Sequence, residues 1–296
     1  MPEQGRAFEG NKPMTVNLNK FSLDGIHSLS CIESYVLAVL HSNLHNADFL
    51  YYQSFLPFAE IYDEFFDRNT LYAYFTGFPR VQDIAREKHI IELNIEKNVD
   101  FESVFHDEKY VCIGVSPAYL IRKYGEKAWR DDHYILVFKQ DKSNCFYIND
   151  NPRDDGIISA QELQSAFSGQ IIRFEMIGEI TPAMQAEFFD SFRSRLFVAN
   201  DRPVNFNLIS DNDLIKTRDF VGILRISRKR AAQFLNCFMS SEFMQTHIES
   251  IDKVYTTLEY MRLRRHLDRS KAIELLTDTW QADLSITKTI INDLRD

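Results

Sequence analysis

The sequence predicts an α+β protein with a central antiparallel sheet, followed by a mostly helical C-terminal part. Short apolar runs bounded by turn residues recur up to about residue 180, and His133–Phe138 is apolar on both faces, which is typical of a central strand. From Pro182 onward, apolar residues recur at spacings of three and four, which is typical of helices. We therefore expect a loose arm over residues 1–20, an α+β domain over 21–180 and a helical domain over 181–296.

The composition argues against several classes of protein. The 296 residues are 45% hydrophobic and 26% charged, and no apolar run is long enough to span a membrane. The first 19 residues are polar and lack the apolar core of a signal peptide, so we expect a cytoplasmic protein with no membrane partner. The net charge of −9 argues against nucleic acid as a partner. Four widely spaced cysteines without a Cys-x-x-Cys motif predict neither a metal site nor a disulfide framework.

The stretch around Cys31 predicts a buried helix with a cysteine at its exposed N-terminus. Ser30 followed by Glu33 is a capping-box pattern, in which the serine oxygen accepts a backbone N–H and the glutamate reaches back to the N–H of Ser30. Cys31 is then the first helical residue, where unpaired N–H groups and the helix dipole stabilise a thiolate. Since Tyr35–Leu40 is entirely apolar, the rest of the helix is expected to be buried. The alternative is that Cys31 is a small, inert core residue.

A predicted hairpin brings a histidine and a carboxylate together. If Asp141–Asn144 is a four-residue loop, Ile135 lies opposite Asp150, and His133 lies two residues from Ile135 on the same face. His133 and Asp150 are then diagonal neighbours within hydrogen-bonding reach, and the carboxylate would orient the imidazole. A loop one residue longer or shorter reverses the parity and makes Asn149 the partner instead.

The chain order of these residues is that of papain-like folds: a cysteine at a helix N-terminus, a histidine that opens a central strand, and an acid or amide that ends the next strand. In this chemistry the histidine takes the proton of the thiol and later delivers it to a leaving group or an acceptor. Cys31, His133 and Asp150 are therefore the candidate nucleophile, base and orienting acid, with Asn149 in place of Asp150 if the parity is reversed. The alternative is that His133 is an ordinary histidine at a strand end and Asp150 a turn former before Asn151-Pro152.

Three segments resemble a known family, the N-terminal domain of butirosin biosynthesis protein H. They are His27-Ser28-Leu29-Ser30-Cys31, His133-Tyr134-Ile135-Leu136-Val137-Phe138 and Tyr147-Ile148-Asn149-Asp150-Asn151-Pro152. The resemblance covers about residues 20 to 180, and the helical C-terminal part is also similar to that family's layout. The same segments resemble, more distantly, the bacteriocin-processing cysteine peptidases.

The resemblance implies a papain-like acyltransferase with no bound cofactor. Such an enzyme takes an acyl group from the phosphopantetheine arm of an acyl or peptidyl carrier protein onto its cysteine, and passes it to a small amine in specialised metabolite, antibiotic or nonribosomal peptide biosynthesis. The related peptidases have an oxyanion-donating glutamine six places before the cysteine, where this chain has Gly25. The N–H of Cys31 is one oxyanion donor. His27, Ser28 and Asn149 are candidates for further oxyanion or substrate contacts, and Asn19 is another candidate donor.

Two other functions stay open on the sequence alone. A thiol peptidase or amide hydrolase would use the same three residues, and a non-catalytic binding protein would retain only the fold. Since carrier proteins are acidic and this chain is acidic too, docking of a carrier needs a local basic patch. Two arginine clusters are candidates, Arg225–Arg230 and the set Arg262, Arg265 and Arg269, which share one face if they are helical. The alternative is that these arginines form ordinary surface ion pairs.

Overall fold

The computed structural model describes residues 28–72, 75–105, 110–124, 133–139, 145–150, 154–198 and 202–295. These residues form an α+β structure, as predicted, with a single six-stranded antiparallel sheet in the order β1-β6-β2-β3-β4-β5. The strands are β1 (Ile91–Lys97), β2 (Tyr110–Val115), β3 (His133–Lys139), β4 (Cys145–Asp150), β5 (Asp154–Ser159) and β6 (Phe167–Met176). The helices are α1 (Cys31–Asn43), α2 (Phe58–Phe66), α3 (Val81–Glu87), α4 (Pro117–Tyr124), α5 (Ala160–Ala166), α6 (Pro182–Val198), α7 (Leu214–Leu235), α8 (Glu242–Leu263) and α9 (Arg269–Asp293).

The β3–β4 register confirms the predicted hairpin pairing. Leu136 pairs with Asn149 and Lys139 with Phe146, which is the register that places Asp150 opposite Ile135. The predicted loop itself lies outside the described residues. β3 pairs with β2 on one side and with β4 on the other, so it is a central strand, as its apolar faces predicted.

The two faces of the sheet carry separate cores. On one face, Cys112 and Leu136 pack into a cluster with the apolar residues of α1. On the other face, Val111 and Ile135 pack with Leu163 of α5. Alternation along β2 and β3 produces this division, because successive side chains of a strand point to opposite faces. α1 thus lies on one face of the sheet and contacts β3, which brings the N-terminus of the helix towards the start of that strand.

The C-terminal helices pack on the sheet core that surrounds α1 and on a further cluster that contains no buried strand residue. Phe188 of α6 and Phe234 of α7 belong to the cluster that surrounds α1, while Phe220 and Val221 of α7 join α2 in a second cluster. Residues on both sides of the predicted division at residue 181 therefore contribute to the same two hydrophobic clusters. Within the described residues, no helix has both the length and the apolarity that a membrane crossing requires.

Several predicted boundaries differ from the structure. The aromatic content of residues 71–75 predicts a strand, but the described residues of this stretch form none, and Phe75 instead stacks on Phe65 of α2 in the core. With Ser159 as cap and Gly169 as terminator, the sequence predicts a helix over residues 159–168 and no strand before it, whereas β5 occupies Asp154–Ser159 and the helix ends at Ala166. Gly169 has a φ of +83° and lies inside β6, so its conformational freedom serves the strand.

Candidate functional site

The N-terminus of α1 has the capping geometry that the sequence predicts. Ser30 is extended, and its Oγ accepts a hydrogen bond from the N–H of Glu33 at 3.2 Å. Cys31 is the first helical residue, so its sulfur lies at the positive end of the helix. Ser34 fixes the preceding loop, since its Oγ donates to the carbonyl of Ser30 at 3.1 Å and lies 2.5 Å from the Oγ of Ser28.

Glu33 does not complete the predicted capping box. Its carboxylate was expected to reach the N–H of Ser30, but Oε2 accepts the N–H of Leu29 at 2.5 Å and Oε1 accepts the N–H of Val81 at 2.7 Å. The same carboxylate forms an ion pair with Arg230 of α7, whose Nη2 lies 2.8 Å from Oε2. Both side chains are fully buried. The physical reason for the difference is that a buried carboxylate needs charge compensation as well as N–H donors, and the N–H of Ser30 offers no such charge.

The sulfur of Cys31 lies against His133 at the start of β3. Burial is the largest influence on the thiol and raises its pKa, but a hydrogen bond with His133, the charge of His133 and the N–H groups of Tyr134 and Ile32 outweigh it, so the pKa lies below its usual value. His133 itself is buried. The arrangement thus provides a thiol that ionises more readily than usual, beside a group that can accept and return a proton.

Two tyrosine hydroxyls connect β3 to the elements around it. The hydroxyl of Tyr35, on α1, donates to the carbonyl of Tyr134 at 3.1 Å, next to the N–H that faces the sulfur. The hydroxyl of Tyr134 donates to Oε1 of Gln170 on β6 at 2.9 Å. Gly114 pairs with Tyr134 on the intervening strand β2, and a Cβ there would lie 2.5 Å from Oγ of Ser168. A larger residue at this position would therefore displace the Ser168 side chain where these strands approach each other.

The remaining predicted site residues are only partly described. The register places Asp150 opposite Ile135, but the side chains of Asp150 and Asn149 lie outside the described part of the chain. His27 also lies outside it, together with Asn19 and Gly25. Ser28 is described, and its hydroxyl forms a hydrogen bond with the hydroxyl of Ser34.

The first arginine cluster does not form one exposed basic face. Arg228 and Arg230 are fully buried, and Arg225 and Lys229 pair with Asp252 of α8. From the sequence these residues were expected to be exposed, since charged side chains rarely lie in a core. They lie there because α7 is packed on several sides and each buried arginine has a carboxylate partner.

The three arginines of the second cluster are exposed, but they do not lie on one helix. The expectation that they share a helix face is therefore wrong. Arg262 lies at the end of α8 and pairs with Glu259, with Nε 2.7 Å from Oε2. Arg265 follows the helix with a φ of +54°, and Arg269 begins α9, where its guanidinium donates to the carbonyls of Ile209 and Asn207. The helix ends between these arginines because the chain turns there with left-handed backbone. Docking of a partner at these three residues stays a prediction.

Sequence reasoning missed three contacts that support the site: the Tyr35 hydroxyl on the carbonyl of Tyr134, the Tyr134 N–H at the sulfur, and Arg230 on the carboxylate of Glu33. These contacts arise from packing between elements, and no local motif indicates them. Among the described residues, no group of three or more His, Cys, Asp or Glu side chains is arranged to hold a metal ion. Neither the known family models nor the curated proteins provide a match to this chain.

Proposed function

We propose that this protein is a papain-like cysteine acyltransferase of the family of the butirosin biosynthesis protein H N-terminal domain. It would take an acyl group from the phosphopantetheine thioester of a carrier protein and pass it to a small amine in specialised metabolite or nonribosomal peptide biosynthesis. The observation that carries the proposal is the contact between the Cys31 thiol and His133 at the N-terminus of α1. The packing of α1 against the central strand β3 of an antiparallel sheet also supports the papain-like assignment.

In the proposed mechanism, the Cys31 thiolate attacks the carbonyl carbon of the thioester. The bond between this carbon and the pantetheine sulfur breaks, and the pantetheine sulfur takes a proton from His133. An amine then attacks the acyl-enzyme, gives its proton to His133 and releases the Cys31 thiolate. As the first residue of α1, Cys31 has an N–H with no acceptor inside the helix, which suits it to stabilise the oxyanion.

Intact-mass analysis after mixing with an acyl-loaded carrier protein tests this proposal. We expect a mass increase equal to the acyl group on the wild-type protein, and its loss when an amine is added. Release at the same rate by water alone would favour the hydrolase that the sequence left open, because the same thiol and histidine serve both reactions. An absence of any adduct, with a Cys31 thiol that reacts no faster than Cys112 or Cys237, would favour a non-catalytic binding protein.

A further inference from the structure

We infer that the buried ion pair between Glu33 and Arg230 is a positioning device for Cys31, through which α7 holds the N-terminus of α1 so that the sulfur stays against His133. The inference rests on the proposed role of Cys31 as the nucleophile. In this arrangement Arg230 acts on the position of the sulfur through Glu33.

The carboxylate of Glu33 joins several elements at one point. Its donors are the N–H of Leu29 in the loop before Cys31, the N–H of Val81 at the start of α3 and the guanidinium of Arg230 on α7. Glu33 directly follows Ile32, whose N–H faces the sulfur. A displacement of this carboxylate would therefore move both the loop that precedes Cys31 and the backbone that contacts its thiol.

The surroundings of Arg230 keep this connection in place. The guanidinium lies 5.2 Å from the ring centroid of Tyr51 and 5.3 Å from that of Phe78. A fully buried ion pair between aromatic rings cannot exchange its partner for water, so its geometry is more restricted than that of a surface pair. α7 is itself anchored, since the Oγ of Ser227 donates to the carbonyl of Ser54 at 2.7 Å.

The chain contains a matched control two residues away on the same helix. Arg228 is also fully buried, lies 4.2 Å from the ring centroid of Phe55 and forms two hydrogen bonds of 2.5 Å with Asp283 of α9. Asp283 also lies 2.9 Å from Nε2 of His247 on α8. Arg228 thus resembles Arg230 in its burial, its charge and its contact with an aromatic ring, but its carboxylate partner belongs to α9 rather than to α1.

The test compares two double variants that each replace both members of one buried ion pair. They are Glu33→Gln with Arg230→Met, and Asp283→Asn with Arg228→Met. The rate of Cys31 alkylation by iodoacetamide is measured across a series of pH values by mass spectrometry, and unfolding is followed by circular dichroism. Among the described residues, His133 is the titratable side chain that acts on the Cys31 thiol, and the charge of Cys31 in turn acts on Cys112; neither His133 nor Cys112 is altered.

We expect both variants to melt at lower temperature and only the first to change the thiol. Its alkylation midpoint should rise by about one pH unit, which lowers the rate at neutral pH about tenfold, because the sulfur loses part of its contact with His133. An unchanged midpoint in the first variant overturns the inference, and so does an equal rise in both variants, which would indicate general loosening.

If the first double variant does not fold, Arg230→Lys is measured in its place. The lysine keeps the charge but has no planar fork and a shorter reach, so we expect an upward displacement of the midpoint, and a wild-type midpoint overturns the inference. Alkylation needs no acyl donor, so this test is separate from that of the proposed function. A displaced midpoint without any acyl adduct would contradict only the acyltransferase, and an adduct with an unmoved midpoint would contradict only the positioning role.

Discussion

Cys31 and Cys112 pack in the same hydrophobic cluster, but the pKa of the Cys31 thiol is lowered and that of the Cys112 thiol is raised. Cys112 is fully buried in the middle of β2, and burial, with the charge of Cys31 as a second cause, raises the pKa of its thiol well above the usual value. Cys31 is half-buried at the end of α1, and its pKa is lowered even though burial acts on it too. The difference lies in what faces the sulfur: the imidazole of His133 and two backbone N–H groups at Cys31, and apolar side chains at Cys112.

A third thiol shows that partial exposure alone does not make a cysteine acidic. Cys237 is also half-buried, yet burial and the charge of Asp48 raise its pKa to about 12. Its Sγ lies 3.7 Å from the carbonyl of Gln233, which is an acceptor and cannot stabilise a thiolate. The helix N-terminus and the histidine therefore distinguish Cys31, and the following experiments are designed to remove these contributions one at a time.

Loss of the thiol itself should have the largest effect. Cys31→Ala should abolish both the acyl adduct and the alkylation of the folded protein, while the fold is retained because the end of α1 loses only one sulfur atom. Intact-mass analysis provides the measurement. Cys112→Ala is the matched control, for which we expect a wild-type adduct and a loss of roughly 1 kcal/mol in the free energy of unfolding. An adduct that persists on Cys31→Ala would disprove the role of this residue.

Removal of the histidine should make Cys31 resemble Cys112. His133→Ala should slow acylation by about a hundred- to ten-thousandfold, because the thiol loses its base. The hydrogen bond and the charge of His133 lower the pKa of Cys31, so their loss should raise it and reduce the thiolate fraction at neutral pH. Single-turnover rates and the alkylation midpoint report the two effects. A midpoint that stays in place would show that the helix N-terminus alone activates the thiol.

The parts of the site that the sequence predicted are those with local signals. Ser30 and Glu33, three positions apart, are enough to identify Cys31 as the first residue of α1. A short polar segment between two apolar runs is enough to predict the β3–β4 register. Both signals depend on neighbouring residues, so a single sequence contains them. These local signals are sufficient to place Cys31 at the start of a helix and His133 at the start of a strand, but they do not show that the two residues are in contact.

The contacts between distant elements could not be predicted in this way. Glu33 pairs with Arg230, and Arg228 with Asp283, across long stretches of chain, and no local pattern indicates that either arginine is buried. Likewise, Tyr35 looked like one apolar residue of a buried helix, whereas its hydroxyl holds the backbone of Tyr134. Such partners are determined by how the elements pack, which composition and periodicity do not specify.

The orienting carboxylate provides a smaller test on the same thiol. If Asp150 holds the imidazole of His133, Asp150→Ala should slow acylation less than His133→Ala does, and Asp150→Asn should slow it less again because an amide can still accept the ring N–H. Single-turnover kinetics of the two variants provide the measurement. Equal rates for Asp150→Ala and the wild type would reject this role, and Asn149→Ala would then be the variant to measure.

Loss of the helix cap should weaken the stabilisation of the Cys31 thiolate slightly. Ser30→Ala removes an N-cap hydrogen bond, so we expect a loss of about 1 kcal/mol in the free energy of unfolding and a small rise in the alkylation midpoint of Cys31. Ser159→Ala is the control, because its Oγ caps α5 with the same 3.2 Å bond from an N–H three residues on. Both variants should lose similar stability, measured by urea unfolding. A midpoint that moves equally in both would show that the cap does not act locally.

Surface charge far from the thiols should affect only the choice of donor. Arg262 pairs with Glu259, which also pairs with Arg218 on α7. Arg218 lies twelve residues before Arg230, about 18 Å along the helix. Arg262 is therefore far from the end of α7 that contacts Glu33. Salt screens charges at that distance, so Arg262→Glu with Arg265→Glu should leave the alkylation of Cys31 unchanged.

If a carrier protein docks at these arginines, the same variant should slow acylation from a carrier-bound donor several-fold and leave acylation from a small free thioester unchanged. Added salt should reproduce the loss in the wild type, because it weakens the encounter between opposite charges. Arg122→Glu with Lys97→Glu makes the same change of charge elsewhere on the exposed surface and should slow neither donor. Equal slowing of both donors by the first variant would mean that these arginines support the structure. If neither donor slows, the carrier binds another surface, because a partner that depends on this charge could not tolerate its reversal.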